Sequence, residues 1–228
     1  MASQQEHTVK AFDQDIGQLR GLISQMGGLA EAAIGHAMTA LQRGDLELAD
    51  RIRQDDRRID AIEADVERTA VRIIALRAPL ANDLREVVAA LKIAAVVERI
   101  GDYAKNIAKR VPLIEGEHRI EPLSTVPAMA KIAAEMVHDA LDAFAARDAA
   151  KAVEIVRRDR TLDDFYDSIF RTLVTYMVEN PKTISQCAHL LFVAKNLERI
   201  GDHATNVAEM VHFAATGNQM TDREWGNQ

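Results

Sequence analysis

Apolar residues recur every three or four positions through most of this chain, the spacing of amphipathic helices rather than of strands. The stripe Ile93, Val97, Ile100, Ala104, Ile107 and Val111 is one example. A second seam on the same segment, Leu84, Val88, Leu91 and Ala95, runs on into Glu98 and Asp102, so those acids are expected to continue a packing face. Breakers punctuate the pattern at Gly44-Asp45, Ala78-Pro79, Glu115 to Pro122, Arg147-Asp148 and Asn180-Pro181. Between them the periodicity predicts six helices, at 6–43, 45–77, 80–113, 123–146, 148–179 and 182–215. A helix of about 34 residues is about 50 Å long and needs neighbours beside it, so a bundle is expected.

The two halves repeat each other. Glu98-Arg99-Ile100-Gly101-Asp102-Tyr103-Ala104-Lys105-Asn106 returns as Glu198-Arg199-Ile200-Gly201-Asp202-His203-Ala204-Thr205-Asn206. Upstream, Ala40-Leu41 matches Ala143-Phe144, Asp45 matches Asp148, and Asp56, Ile59 and Asp60 match Asp159, Leu162 and Asp163. The expected fold is therefore all-α, two tandem three-helix bundles related by duplication: module one over 1–116, module two over 117–217, and a tail over 218–228. Gly101 and Gly201 fall mid-helix, where Gly costs up to about 1 kcal/mol against Ala, so a closely approaching helix is expected at each.

Composition narrows the function. The 228 residues carry a net charge of −7 and only 4% aromatics, which argues against a nucleic-acid ligand. No apolar run approaches the roughly 20 residues that span a bilayer, and Met1 to His7 lacks the basic and apolar regions of a signal peptide. The single cysteine, Cys187, is expected to be a small buried hydrophobe in a cytoplasmic protein.

The chemistry lies in four acidic pairs spaced four apart: Asp56/Asp60 and Glu98/Asp102, then Asp159/Asp163 and Glu198/Asp202. That spacing puts both members of a pair on one helix face. Folding the first hairpin about Pro79 sets Asp60 opposite Glu98 and Asp56 opposite Asp102. Folding the second about Asn180-Pro181 sets Asp163 opposite Glu198 and Asp159 opposite Asp202. Four carboxylates then meet at one height in each module, a patch that a cation would neutralise. Neighbouring acids are not repeated: Glu63 and Glu67 have Tyr166 and Phe170 as counterparts. Two clusters, one per module, are thus expected to bind cations. All-oxygen ligands suit Mg, Mn, Ca or ferric iron. Asn106 and Asn206, one turn beyond Asp102 and Asp202, are candidates for adding carbonyl ligands, for orienting the carboxylates, or for bonding across a helix interface.

A second chemistry competes. Glu135-x-x-His138 and Glu209-x-x-His212 have the ExxH spacing of ferritin-like di-metal oxidoreductases. Their repeat counterparts are Ala32 with Gly35 and Lys109 with Pro112, so neither is duplicated. No phosphate-binding glycine loop, Ser/His/Asp set or CxxC is present.

The doubled E-R-I-G-D-x-A-x-N, the upstream Asp56…Ile59-Asp60 signature and its copy, and Pro79…Asp83-Leu84-Arg85 resemble the PhoU family of phosphate-transport regulators. The stretch from His7 and Phe12 to Met26-Gly27 and the closing Thr216-Gly217 are similar too, so the resemblance spans about residues 7–217. It implies two three-helix bundles holding multinuclear metal clusters, iron or zinc in some members, on the four acidic pairs. It also implies a cytoplasmic protein, often a homodimer, without catalytic activity. Such a protein damps the phosphate-starvation response by bridging the phosphate ABC transporter, through its ATPase subunit, and a membrane sensor histidine kinase.

Overall fold

The computed structural model describes residues 2–114 and 124–221, with side chains from residue 12 onward. Seven helices are present among the described residues: α1 (Ala2–Arg43), α2 (Leu46–Arg77), α3 (Asn82–Ala108), α4 (Val111–Ile114), α5 (Val126–Ala146), α6 (Ala149–Glu179) and α7 (Ile184–Thr216). The six long ones are those the periodicity predicts, and no strand occurs among the described residues. The boundary at 116/117 and the end of the tail, 222–228, lie outside the described residues.

The repeat shows in the caps. Asp45 ends the α1–α2 turn by accepting a hydrogen bond from the Leu48 amide at 2.8 Å. Its counterpart Asp148 accepts from the Ala150 and Lys151 amides, at 3.0 and 2.9 Å, ahead of α6. The residue before each cap has a left-handed backbone, Gly44 at φ 66° in the first copy and Arg147 at φ 56° in the second. Glycine takes that conformation without a Cβ penalty, whereas arginine carries one of about 1 kcal/mol. Arg147 has a compensating partner: its guanidinium pairs with Glu86 of α3, which also meets Arg20 of α1 at 2.6 Å. Glu86 is buried, and this triad joins the α5–α6 turn of module two to module one.

The copies differ where their third helices end. The expected helix at 80–113 stops at Ala108, and four residues form the separate turn α4. Pro112 explains the break, since its ring excludes the carbonyl four residues back and it has no amide to donate. The Arg110 amide instead bonds Ile107 at 2.9 Å, a tighter turn. Module two has His212 in place of Pro112, and α7 runs on to Thr216, closed by Gly217 at φ 78°.

Within each module the three long helices pack around an apolar core, α1 with α2 and α3, then α5 with α6 and α7. The stripe from Ile93 to Ile107 is the deep face of α3 and continues into Val111 of α4, each residue 2% exposed or less. The other seam is shallower than expected: Leu84 is 38% exposed and Ala95 is exposed, so it lies nearer solvent than a packing face would. Glu98 and Asp102, at its end, are half-buried. Cys187 is buried, as its surroundings predict.

The modules join through α3 against α7 and α1 against α5. Both pairs run antiparallel. The rings of Tyr103 and His203 meet edge-on, 5.1 Å apart, while Arg110 lies 4.6 Å over Phe192. Gly27 makes room for Leu141, whose Cδ1 would stand 2.1 Å from any Cβ added there, and Glu31 meets His138 at 3.2 Å. Tyr103 and His203 are equivalent positions of the repeat, so a pseudo-two-fold axis passes between them. No described helix is long and apolar enough to cross a membrane.

Candidate functional site

Close packing of α2 on α3, and of α6 on α7, brings the acidic pairs together. A Cβ on Gly101 would fall 2.7 Å from Ile59 Cδ1 and 3.5 Å from Asp56 Oδ1. A Cβ on Gly201 would fall 2.2 Å from Leu162 Cδ2 and 3.4 Å from Asp159 Oδ1. The mid-helix glycines are therefore where the facing helix approaches, and they let the first aspartate of each upstream pair lie against the backbone of the third helix. The hairpin register holds: Asp56 faces Asp102, and Asp159 faces Asp202.

In module two, ligand oxygens of Asp159, Asp163 and Asp202 all lie within 4.8 Å of one another. Asp159 Oδ1 is buried and accepts no hydrogen bond. Burial, followed by repulsion from Asp163, Asp202 and Glu198, pushes the Asp159 carboxyl up to about 7. Asp202 is raised by burial and by Glu198 and Asp163, with Lys195 and Arg199 opposing. Burial and then Glu198 raise Asp163. Glu198 itself pairs with Lys195, whose ammonium stands 5.2 Å from the Tyr166 ring. The donor set suits a hard cation: three carboxylates converge, one oxygen lacks any partner, and their mutual repulsion would be relieved by positive charge. Asp159, Asp163 and Asp202 would hold it, while Glu198 is engaged by Lys195.

Module one holds the same four acids differently. Asp56 is buried, Glu98 and Asp102 are half-buried, and Asp60 is exposed. The ammonium of Lys105 lies between Asp56 and Asp102 and bonds both. Burial works against its charge, but the bonds to Asp102 and Asp56 outweigh that and raise its pKa. Further out, burial and then repulsion from Asp102, Glu63, Asp60 and Asp56 raise Glu98. Among the described residues, module one contributes no group of three metal-ligating side chains as tight as that of module two.

The candidate asparagines divide. The Asn106 carbonyl accepts from Lys109, just past the end of α3, at 3.0 Å. Asn206 is half-buried one turn past Asp202. The ExxH residues are engaged elsewhere. His138 meets Glu31 at 3.2 Å and Asp142 at 3.6 Å, Glu135 meets Lys131 and Arg158, and His212 Nδ1 lies 3.2 Å from the Asn218 carbonyl. Glu209 is half-buried, and burial raises its pKa.

Sequence reasoning overlooked the lysines. The signal was available: within the nine-residue motif only two positions differ between the copies, and one of them is Lys105 against Thr205. Lys195 likewise stands where the first copy has Ala95.

Comparison with known proteins matches this architecture. The PhoU domain family matches twice, over residues 23–111 and 126–211, once in each repeat. The phosphate-specific transport system accessory protein PhoU homolog of Zymomonas mobilis is 55% identical over 225 residues, 99% of this chain and 95% of that protein. A protein of the same description from Caulobacter vibrioides is 44% identical over 219 residues, 96% of this chain and 95% of its own. Among solved structures, PhoU from Pseudomonas aeruginosa superposes with a TM-score of 0.86 at 37% identity, covering 91% of this chain and all (100%) of that one. The phosphate transport system regulatory protein PhoU from Streptococcus pneumoniae gives 0.86 at 28% identity, covering 92% and 99%. With both repeats matched and the acidic pairs set at the same height in each, this chain belongs to the PhoU family.

Proposed function

We propose that this protein is a non-catalytic, cytoplasmic regulator that lowers phosphate uptake and holds the phosphate-starvation response off when phosphate is plentiful. The observation that carries the reading is near full-length identity to phosphate-specific transport system accessory proteins. The partners it would contact are the ATPase subunit of the phosphate ABC transporter and a membrane sensor histidine kinase. Long exposed helix faces suit such protein contacts better than they suit a small substrate. Two modules on one chain would raise the effective concentration of the second contact once the first is made. The protein is further proposed to act as a homodimer, which light scattering on the untagged chain would check.

The carboxylate clusters are proposed to hold hard metal cations. Bound there, a cation would supply positive charge that fixes two helices in register, stiffening the docking face. Asp159, Asp163 and Asp202 supply the oxygens, and Gly201 lets them converge. A di-metal oxidoreductase finds less support, since His138 and Glu135 are spent on surface ion pairs.

Deletion of the gene tests the regulator reading. Phosphate-starvation genes should switch on in phosphate-rich medium, and phosphate uptake should rise. Both should return to normal when the intact chain is restored. Normal repression in the deletion strain, with no second homologue present, would refute it.

A further inference from the structure

The two carboxylate clusters are equivalent in sequence and unequal in what already neutralises them. In module one the Lys105 ammonium sits between the two helices, bonded to Asp56 on α2 and to Asp102 on α3. Its side chain is only 23% exposed, and that of Asp56 only 7%. One repeat later the residue is Thr205, whose hydroxyl donates to the Asp202 backbone carbonyl at 2.7 Å and brings no charge. Asp159 Oδ1, on the counterpart of Asp56, is accordingly left buried without a hydrogen bond.

Module two has a lysine as well, so formal charge does not separate the clusters. Position does. Lys195 is 42% exposed and pairs with Glu198; its charge is felt by Asp163 and Asp202, but it bonds none of Asp159, Asp163 and Asp202, which converge within 4.8 Å. Lys105 occupies the inner seat, between the carboxylates a metal would have to bridge. A lysine ammonium is a compact cation with three donors, and it repels a divalent ion placed against the same oxygens.

We infer that Lys105 is the built-in counterion of module one and that metal loading is confined to module two. The ion pair does permanently in one half of the chain what a dissociable cation does in the other. Only one of the two helix hairpins would then respond to metal supply. This inference rests on the metal reading given under Proposed function.

Manganese(II) titrated into the untagged, EDTA-stripped full-length chain, with free ion counted by electron paramagnetic resonance, tests it. Asp202→Asn should weaken Mn2+ binding at least tenfold, while Asp102→Asn should leave it within twofold of the unsubstituted chain. Lys105→Thr, which copies the residue of module two, should about double the Mn2+ bound per chain. That gain should vanish in Lys105→Thr/Asp102→Asn. Circular dichroism checks each variant for folding. Should Lys105→Thr fail to fold, the comparison of Asp102→Asn with Asp202→Asn decides without it. If those two variants each remove about half of the bound metal, the inference is overturned while the metal reading stands. If the unsubstituted chain binds no Mn2+, both are overturned.

Discussion

Asp159→Asn and Asp56→Asn make the same chemical change at equivalent points of the repeat, yet they are expected to move stability in opposite directions. In the metal-free protein Asp159 is pushed up to about 7 from 3.8, by burial first and then by its acidic neighbours. About three units at 1.36 kcal/mol each set a ceiling of about 4 kcal/mol. Asp159 is only half-buried, and solvent screening reduces the expected cost to about 1–2 kcal/mol. The sign follows from linkage: the folded carboxyl keeps its proton while the unfolded one releases it. The penalty is therefore absent below about pH 4, grows between pH 4 and 7, and is complete above 7. Asparagine has no charge to bury, so Asp159→Asn should raise the melting temperature at pH 8 by about 2–8 °C. Asp56 instead shares the Lys105 ammonium with Asp102. Replacing it leaves a largely buried cation with one partner fewer, and Asp56→Asn should cost about 1–3 kcal/mol. Thermal unfolding in EDTA from pH 4 to 8 reads both. A lower melting point for Asp159→Asn at pH 8, or a difference that does not vary with pH, would refute the reasoning.

Other consequences can be checked on the same purified protein. Adding Mn2+ should stabilise it more at pH 8 than at pH 5, because protons and metal compete for Asp159; equal stabilisation at both would argue against that site. Gly201→Ala places a Cβ 2.2 Å from Leu162 Cδ2, and Leu162 is fully buried. The overlap should outweigh the helix-propensity gain of about 1 kcal/mol and leave a net loss of about 1–2 kcal/mol, measured by urea unfolding. Glu86→Gln weakens the triad with Arg20 and Arg147 and should cost about 2 kcal/mol, with faster amide exchange at the start of α3.

Helices, repeat and hairpin register were legible because each leaves a periodic or doubled trace in the sequence. Pro79 and Asn180-Pro181 mark the turns, and the acidic pairs then fall opposite each other by chain length alone. Depth was not legible. The spacing of Leu84, Val88, Leu91 and Ala95 defines a face, but not how far that face lies from solvent, and Leu84 and Ala95 proved exposed. Lys105 leaves a trace only as a difference from Thr205, and a single changed residue does not announce which carboxylates its long side chain will reach. In the sequence Arg147 marks only a turn. Its partner Glu86 lies 61 residues away, and no local pattern announces a contact of that length.

The pseudo-two-fold between Tyr103 and His203 gives the contact between modules the form of a self-complementary dimer interface, in which each surface meets its own equivalent. Departures from that symmetry decide which modules can pair. In this chain Arg110 lies over Phe192, and across the axis Lys92 shares a cleft with Glu209 and Met210. Two copies of module one joined in the same way would bring Lys92 against Arg110, cation against cation. Two copies of module two would bring Phe192 against Met210 and lose the ring-to-guanidinium contact. Divergence after duplication has thus placed a cation–cation clash against self-pairing of module one, which is better matched to its sister than to itself.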